Sequence, residues 1–209
     1  MIRNMIEAAT WAPSGSNRQP WRFIVLRDAE VKRRLADDVR RVVTSLADAV
    51  QPGLAGDFEA YSRHFLHFEQ APVLLLVLCR TESTMATLFR ENTSARARMG
   101  ALESDAAVIS VAMATQNLLL TATEQGLASC VMTGPLVAED AFDQALDVPT
   151  GWRILCMVCV GYPGESPVPG RRKAVDQVIV PLHHIARGGD AWAVVPEQPV
   201  PWVPPDGTD

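Results

Sequence analysis

Apolar and polar residues follow two different periods along this chain, which predicts a protein that contains both helices and strands. Residues 2–12 carry apolar side chains at the three-and-four spacing of a helix, and Pro13 ends that pattern. Residues 22–27 then form a short apolar run that is typical of a strand. The segment between the two is polar and contains two prolines, so it is predicted to be a loop.

A long amphipathic helix is predicted after this strand, with Asp28 as its N-cap and Pro52 and Gly53 at its end. Its apolar stripe consists of Val31, Leu35, Val39, Val42, Leu46 and Val50. Charged residues of both signs fill the remaining surface: Lys32, Arg33, Arg34, Asp37, Asp38, Arg40 and Arg41. Because the signs are mixed, we expect a solvated helix face and no nucleic-acid-binding patch.

The middle of the chain predicts a buried sheet and a variable segment. A shorter helix is expected over residues 58–68, and the continuous apolar run 73–78 indicates a central strand. Residues 80–103 are polar, so we expect a short helix or a lid over a site in this segment. Further predicted elements are an extended piece over residues 130–132, a short helix over 138–146 and a strand over 153–161.

A second long helix is predicted over residues 104–125, where apolar side chains leave no wide polar face. Such a helix is expected to be buried, either in the centre of the fold or at a subunit interface. Gln116 and Asn117 are amides in this apolar context, where a polar group without a partner costs about 1–3 kcal/mol. Two interpretations stay open for them: a hydrogen bond to a neighbouring backbone, or contact with a ligand.

Composition and charge limit the classes of function. The 209 residues are 48% hydrophobic and 21% charged, which fits one globular domain with a substantial core. The formal net charge of −5 gives no reason to expect nucleic acid or an anionic membrane as a partner, so a small diffusible substrate is favoured. No stretch of about 20 apolar residues is expected to span a bilayer. We therefore expect a cytoplasmic protein.

Cysteine and histidine patterns predict no metal or thiol chemistry. The four cysteines lie in apolar surroundings that suit reduced, packed thiols. Cys156 and Cys159 have metal-ligand spacing, but residues three apart on a strand point to opposite faces of the sheet. His64 and His67 could share a helix face, yet no third ligand accompanies them. No catalytic acid/base set is present either, so the site residues predicted here include no catalytic group.

The segment from Ala12 to Trp21 is the strongest candidate for a binding loop. Its sequence, APSGSNRQPW, has prolines near both ends and small or amide side chains between them. Gly15 can adopt positive φ and let a ligand approach the main chain closely. The amides and hydroxyls suit a planar heterocycle with several carbonyl and ring-nitrogen atoms. An ordinary helix-to-strand connection is the alternative.

This loop resembles the flavin-contacting loop of the FMN-dependent nitroreductase family, in which Pro-Ser-x-x-Asn-x-Gln-Pro-Trp follows the first long helix. Three more stretches resemble the same family in the expected order. They are QNLLL from Gln116 with GLASC from Gly126, the turn MTGPL from Met132, and VGYP from Val160 followed by Arg171, Arg172 and Lys173. The resemblance extends from about residue 2 to about residue 180.

The resemblance implies a fold and an activity. The fold would be α+β in three layers, with a central mixed, mainly antiparallel sheet between helices. The activity would be that of an FMN-dependent oxidoreductase working by a ping-pong mechanism. NAD(P)H would reduce the flavin, and a small electron acceptor such as a nitroaromatic or a quinone would then take its place. A flavin enzyme needs no elaborate acid/base set, because the cofactor supplies the hydride chemistry.

The resemblance also implies which residues bind FMN. The loop would contact the flavin of the partner subunit through Pro13, Ser14, Gly15, Ser16, Asn17 and Gln19. Asn117 belongs to the same set, and main-chain groups near Thr133 and Gly134 would face the flavin N5 region. Arg172 would bind the phosphate, with a solvated basic cluster as the alternative. His64 and His67 lie where family members reach the pyrimidine edge of the flavin, against the alternative of surface histidines.

The last part of the chain is predicted to form a separate element. Residues 181–209 are rich in proline and contain Trp192 and Trp202, which favours an extended arm after a domain over residues 1–180. In the family such a segment wraps around the second subunit, so the resemblance implies a homodimer that exchanges these arms. A disordered tail is the alternative.

One family feature has no match here. Family members usually begin with an Arg-rich segment, some twenty residues before the first helix, that holds the phosphate, and Arg3 does not match it. Three expectations remain open: a start upstream of Met1, weaker FMN binding, or a role other than flavin reduction. Besides the nitroreductase-type enzyme, the resemblance therefore leaves room for a non-catalytic or weakly flavin-binding member and for a biosynthetic flavin dehydrogenase or oxidase.

Overall fold

The computed structural model describes residues 1–164 and 170–179. Residues 1–164 form one compact unit, and residues 170–179 belong to a second. The arm predicted over residues 181–209 lies outside the described residues. The domain boundary predicted after residue 180 stays a prediction.

Helices and strands lie close to where the apolar patterns place them. In chain order they are α1 (Ile2–Thr10), β1 (Trp21–Leu26), α2 (Ala29–Ala47), α3 (Ala55–Ser62), β2 (Val73–Arg80), α4 (Ser94–Glu124), β3 (Ala128–Met132), α5 (Glu139–Leu146) and β4 (Trp152–Gly161). Short 3₁₀ turns occupy Gly15–Asn17, Arg63–Gln70, Ala86–Leu88, Gly134–Ala138 and Val175–Gln177. The helix predicted over residues 58–68 is thus divided between α3 and the 3₁₀ turn that follows it.

The four described strands form one sheet in the order β1-β2-β4-β3, and every pairing is antiparallel. The apolar run that predicted a central strand is β2, which pairs with β1 on one side and β4 on the other. A β-bulge interrupts the register where Val77 pairs with Cys156 and Leu78 pairs with Ile154, so Leu155 is an extra residue in β4.

Helices cover both faces of the sheet and give three layers, which confirms the α+β fold. On one face, α1 and α4 pack in a core that includes Met5 and Leu118. On the other face, α2, α5 and the turn Arg63–Gln70 surround a second core. Cys156 belongs to the first core and Cys159 packs against the second, so the prediction that these thiols point to opposite faces is confirmed.

Helix α2 begins at the predicted cap but contradicts one prediction about its surface. The Asp28 carboxylate accepts hydrogen bonds from the amides of Glu30 and Val31, at 2.8 and 3.0 Å. Lys32, expected on the solvated face, is 4% exposed, and its ammonium donates to the carbonyl oxygen of Ala71. That expectation was wrong because Lys32 follows Val31 at the edge of the apolar stripe, where a long side chain can lie along the core.

Helix α4 begins ten residues earlier than predicted. The Thr93 hydroxyl caps it by accepting a hydrogen bond from the amide of Arg96, at 3.2 Å. The segment over residues 80–103, expected to hold a short helix or to act as a lid, contains the 3₁₀ turn Ala86–Leu88 and the first turns of α4. The predicted start of the long helix at residue 104 was wrong because charged residues in the first turns of α4 hide its helical period.

The burial of α4 is also more uneven than predicted. Val111, Ala114 and Leu118 are fully buried, whereas Ile109 and Leu120 are 58% and 59% exposed. By length and composition α4 qualifies as a membrane-crossing helix, although no stretch of that kind was expected from the sequence. One third of its most apolar window is buried, and α4 contacts α1 and the sheet.

Candidate functional site

The predicted binding loop is an exposed, tightly turned segment between α1 and β1. Ser16, Asn17 and Gln19 have φ angles of 53°, 52° and 49°. These values lie in the left-handed region, which residues other than glycine rarely adopt. Gly15 does not have the positive φ that was expected of it, because its neighbours make the turn instead. The Ser14 hydroxyl stabilises the turn by accepting a hydrogen bond from the backbone N–H of Gln19, at 3.0 Å. Non-glycine residues held in this region are concentrated at functional sites.

The main chain at Gly15 is open to an incoming molecule. A Cβ atom built on Gly15 would meet no protein atom within 4 Å. The Asn17 side chain is exposed beside it. Its Oδ1 accepts a hydrogen bond from the side-chain amide nitrogen of Gln19, at 3.3 Å. Pro13 and Ser16 are also exposed. The loop therefore presents backbone and amide groups to a ligand, as the binding hypothesis requires.

This loop forms one wall of a cavity of about 360 Å³. The opposite walls come from the N-terminal half of α4 and from the chain that follows β2. The lining consists of Gly15, Ser16, Arg18, Pro20, Arg80, Glu82, Thr84, Met85, Met99, Leu102, Glu103, Ala106, Ala107 and Ser110. A cavity of this size matches small-molecule sites, which are mostly apolar with a few polar groups.

Glu103 of α4 ties the walls of this cavity together. Its carboxylate forms an ion pair with Arg18 of the loop and accepts the Ser83 hydroxyl hydrogen bond. It also accepts hydrogen bonds from the amides of Met85 and Ala86, at 2.9 and 3.1 Å. These contacts fix the loop and the segment after β2 to one point on α4. The side chain is only 13% exposed.

The contacts around Glu103 keep its carboxylate ionised. Burial raises its pKa, but the hydrogen bonds from Ser83, Met85 and Ala86 and the ion pair with Arg18 outweigh burial and lower the pKa to about 2. Sequence reasoning missed this residue, because a single glutamate in a polar segment carries no signal of its own. The only available signal was its position at the start of the apolar helix pattern.

A second group of predicted residues lies elsewhere in the same unit. Thr133 is exposed and begins the 3₁₀ turn Gly134–Ala138. Gly134 packs against the ring of Phe65, which stands beside His64. The rings of His64 and His67 are 5.1 Å apart in an edge-to-face arrangement. The turn at Thr133 and the segment that carries the two candidate histidines are thus in contact through Gly134 and Phe65.

Asn117 has a contact of its own in the first unit, and Arg172 belongs to the second unit. The Asn117 amide nitrogen donates to the carbonyl oxygen of Ala8, at 3.2 Å, so this side chain joins α4 to α1. Of the two open interpretations, the contact observed is the backbone hydrogen bond. Gln116 is exposed. The Arg172 guanidinium donates to the Arg171 carbonyl oxygen at 3.0 Å, within the second unit. The cofactor roles of both residues stay predictions.

Three of the four thiols, two of them buried and that of Cys159 half-buried, offer little nucleophilic reactivity. Burial raises the pKa of Cys156 to about 11 and that of Cys159 to about 12. Burial also raises the pKa of Cys79. These three side chains stay protonated at neutral pH and behave as packed hydrophobes. Cys130 is the exposed thiol.

A three-layer α+β fold whose polar, left-handed loop joins the first helix to the first strand defines a fold of the nitroreductase type. The chain belongs to the Nitroreductase family, whose family model matches residues 1–162. The match includes the loop, the Thr133 turn and the four strands that the structure describes.

Individual relatives agree with this assignment. The chain is 31% identical over 170 residues to 5,6-dimethylbenzimidazole synthase of Rhodospirillum rubrum, covering 80% of this chain and 74% of the relative. Among solved structures it is similar to a BluB-like flavoprotein from Clostridium difficile, with a TM-score of 0.74, 25% identity and coverage of 85% and 86%. A nitroreductase with bound FMN from Desulfitobacterium hafniense shares the fold, with a TM-score of 0.59, 20% identity and coverage of 82% and 81%.

Proposed function

We propose that this protein is an FMN-dependent oxidoreductase that uses NAD(P)H to reduce a small acceptor such as a nitroaromatic or a quinone. The observation that carries the proposal is the loop at Gly15, whose open main chain and left-handed neighbours border a cavity of small-molecule size. Membership of the Nitroreductase family supports the same function.

The loop fits the flavin ring better than the described residues fit its phosphate. Exposed backbone and amide groups at Ser16, Asn17 and Gln19 suit the carbonyl and nitrogen edge of a planar ring. For the phosphate, Arg172 is the predicted partner. Bound FMN would supply the hydride chemistry, accepting two electrons from the nicotinamide and passing them to the acceptor in ping-pong order. The loop and the Thr133 turn would orient the ring.

The cavity beside the loop is the proposed acceptor site. Its floor is made of apolar residues of α4, among them Met99 and Leu102. The segment after β2, held by Glu103, forms one side of the cavity. An aromatic acceptor in this cavity would lie next to the loop that is proposed to hold the flavin.

A homodimer completes this proposal. Leu102, Ile109 and Leu120 of α4 are each about 60% exposed, although the helix packs against α1 and the sheet. Burial of such a face against a second copy stabilises both copies. The loop and the Thr133 turn form separate groups in one chain, so two chains would supply the two sides of each flavin site.

Purified protein tests the proposal directly. We expect a yellow dimer whose flavin absorbance is bleached anaerobically by NADH or NADPH and restored by menadione or nitrobenzene. Colourless protein that takes up no added FMN would overturn it and favour a non-catalytic family member. The DNA upstream of Met1, translated in frame, gives a second check, because an Arg-rich segment there would supply the phosphate ligands.

A second candidate is a biosynthetic flavin enzyme. It is favoured by the 31% identity to 5,6-dimethylbenzimidazole synthase, which covers 80% of this chain. We would incubate the FMN-loaded protein with NADPH in air and search for 5,6-dimethylbenzimidazole by chromatography. Formation of that product, together with slow reduction of nitroaromatics and quinones, would favour this candidate over the first.

A further inference from the structure

The charges around the cavity cancel in pairs. Arg18 forms an ion pair with Glu103, and the Arg80 guanidinium lies 2.7 Å from the Glu82 carboxylate. These four are the charged residues in the cavity lining, so the lining carries no net charge. Most of the remaining lining is apolar and consists of Pro20, Met85, Met99, Leu102, Ala106 and Ala107.

The two ion pairs differ in how firmly they are held. Arg80 and Glu82 are more than half exposed, and ion pairs between exposed side chains contribute little to stability. Glu103 is 13% exposed and accepts three further hydrogen bonds, from Ser83, Met85 and Ala86. Rotation of Glu103 away from Arg18 would break the hydrogen bonds from Ser83, Met85 and Ala86 together, which is unfavourable.

We propose that this cavity selects uncharged aromatic acceptors, and that Glu103 sets the selectivity by neutralising Arg18. The proposal rests on the proposed function, in which the acceptor enters this cavity. A carboxylate-bearing acceptor would meet the fixed negative charge of Glu103 and find Arg18 already engaged. A cationic acceptor would find Glu103 already engaged by Arg18 and would gain no free counter-charge either. A neutral ring needs no counter-charge and gains apolar contacts with α4.

The size of the cavity suits this class of molecule. About 360 Å³ accommodates a compact ring system, in the lower part of the range for ligand pockets. Ser16 and Thr84 supply hydroxyls in the lining that can donate to a nitro or carbonyl oxygen without adding charge, whereas the Ser110 hydroxyl donates to the Ala106 carbonyl oxygen. The chemical class is therefore a neutral nitroaromatic or quinone of one or two rings.

A matched pair of acceptors tests the inference. Methyl 4-nitrobenzoate and 4-nitrobenzoate share one ring and differ in charge. The FMN-loaded protein is reduced photochemically, and reoxidation of the flavin by each compound is followed anaerobically. We expect the rate-constant ratio of ester to acid to be at least about tenfold larger than with free reduced FMN. The free flavin corrects for the intrinsic reactivity of the two compounds.

Variants show which residue sets the ratio. Glu103→Gln leaves Arg18 without its counter-charge, and we expect the ratio to shift at least about fivefold toward the acid. Arg18→Gln leaves Glu103 without its counter-charge, and the ratio shifts further toward the ester. Glu30→Gln, in an exposed pair with Arg33 outside the cavity, serves as the control and leaves the ratio unchanged. A purely structural disturbance would not move the ratio in opposite directions in the two variants.

The outcomes separate this inference from the proposed function. Equal normalised rates for ester and acid overturn the charge selectivity, while flavin reoxidation by both upholds the oxidoreductase. A protein that binds no FMN overturns the proposed function, and titration calorimetry on the same protein then decides the inference. In that case, tighter binding of the ester supports it, and acid binding as tight as ester binding overturns it.

Discussion

Gly134 packs so tightly against Phe65 that a Cβ atom on the glycine would lie 2.2 Å from Cδ1 of the ring. Phe65 is 7% exposed and sits in the core below α2, so the ring has little room to move away. We therefore expect Gly134→Ala to lower the free energy of unfolding by about 1–3 kcal/mol. Urea denaturation measures this difference.

Gly15→Ala is the matched control for that variant. A Cβ atom on Gly15 meets no protein atom within 4 Å, and its φ lies outside the left-handed region. Its free energy of unfolding should stay within about 0.5 kcal/mol of the wild type. Similar losses in the two variants would contradict the close packing at Gly134.

Asn17 tests the proposed cofactor role of the loop. We expect Asn17→Ala to weaken FMN binding by about tenfold, the effect of one lost hydrogen bond. Alanine is also strained at the φ of 52°, so Asn17→Gly is the control that keeps the backbone conformation and removes only the amide. Both variants should lose flavin to a similar extent in fluorescence titrations. An FMN affinity of Asn17→Gly equal to that of the wild type would contradict the proposed role of the Asn17 amide in binding the flavin.

Lys32 tests whether a buried ammonium stabilises the fold. We expect Lys32→Ala to lower the free energy of unfolding by about 2 kcal/mol, because it removes a packed side chain and the hydrogen bond to Ala71. Arg33→Ala, next to it on the exposed face, should change stability by less than about 0.5 kcal/mol. Thermal unfolding measures the stability of both variants. An equal, small loss of stability in the two would contradict the burial of Lys32.

Glu103 makes the stability of the protein depend on acid pH. Its pKa is about 2 in the folded protein, below the ordinary value of 4.5. The stabilisation is therefore fully present above about pH 5 and is lost as the pH falls toward 2. We expect the melting temperature of the wild type to exceed that of Glu103→Gln at pH 6, and the difference to shrink between pH 5 and pH 2. A difference independent of pH would contradict the lowered pKa.

Local patterns explain which parts of the fold were predictable. The cap at Asp28, the strand at residues 73–78 and the opposed thiols of Cys156 and Cys159 depend on neighbours within a few positions, so the sequence reveals them. The ion pair of Glu103 is with Arg18, which is 85 positions away. Only the folded chain brings those two charges together, and no periodicity in the sequence marks either residue.

The same reasoning accounts for the errors. Lys32 was assigned to solvent by its charge, although its aliphatic part can lie against the core. Gly15 was expected to make the turn by its own flexibility, whereas Ser16 and Asn17 adopt the left-handed conformations. In both cases the residue type correctly indicated which conformations and environments the residue can adopt. It did not indicate which of them the folded structure contains.

The bulge at Leu155 also has an evolutionary consequence. Ile154 and Cys156 pair with the consecutive residues Leu78 and Val77, so removing Leu155 would leave every other residue of β4 on its present face. A deletion near the end of β4, beyond the bulge, would instead move the side chains of part of the strand to the opposite face of the sheet. Homologous chains are therefore expected to tolerate a one-residue difference in length at this point of the strand.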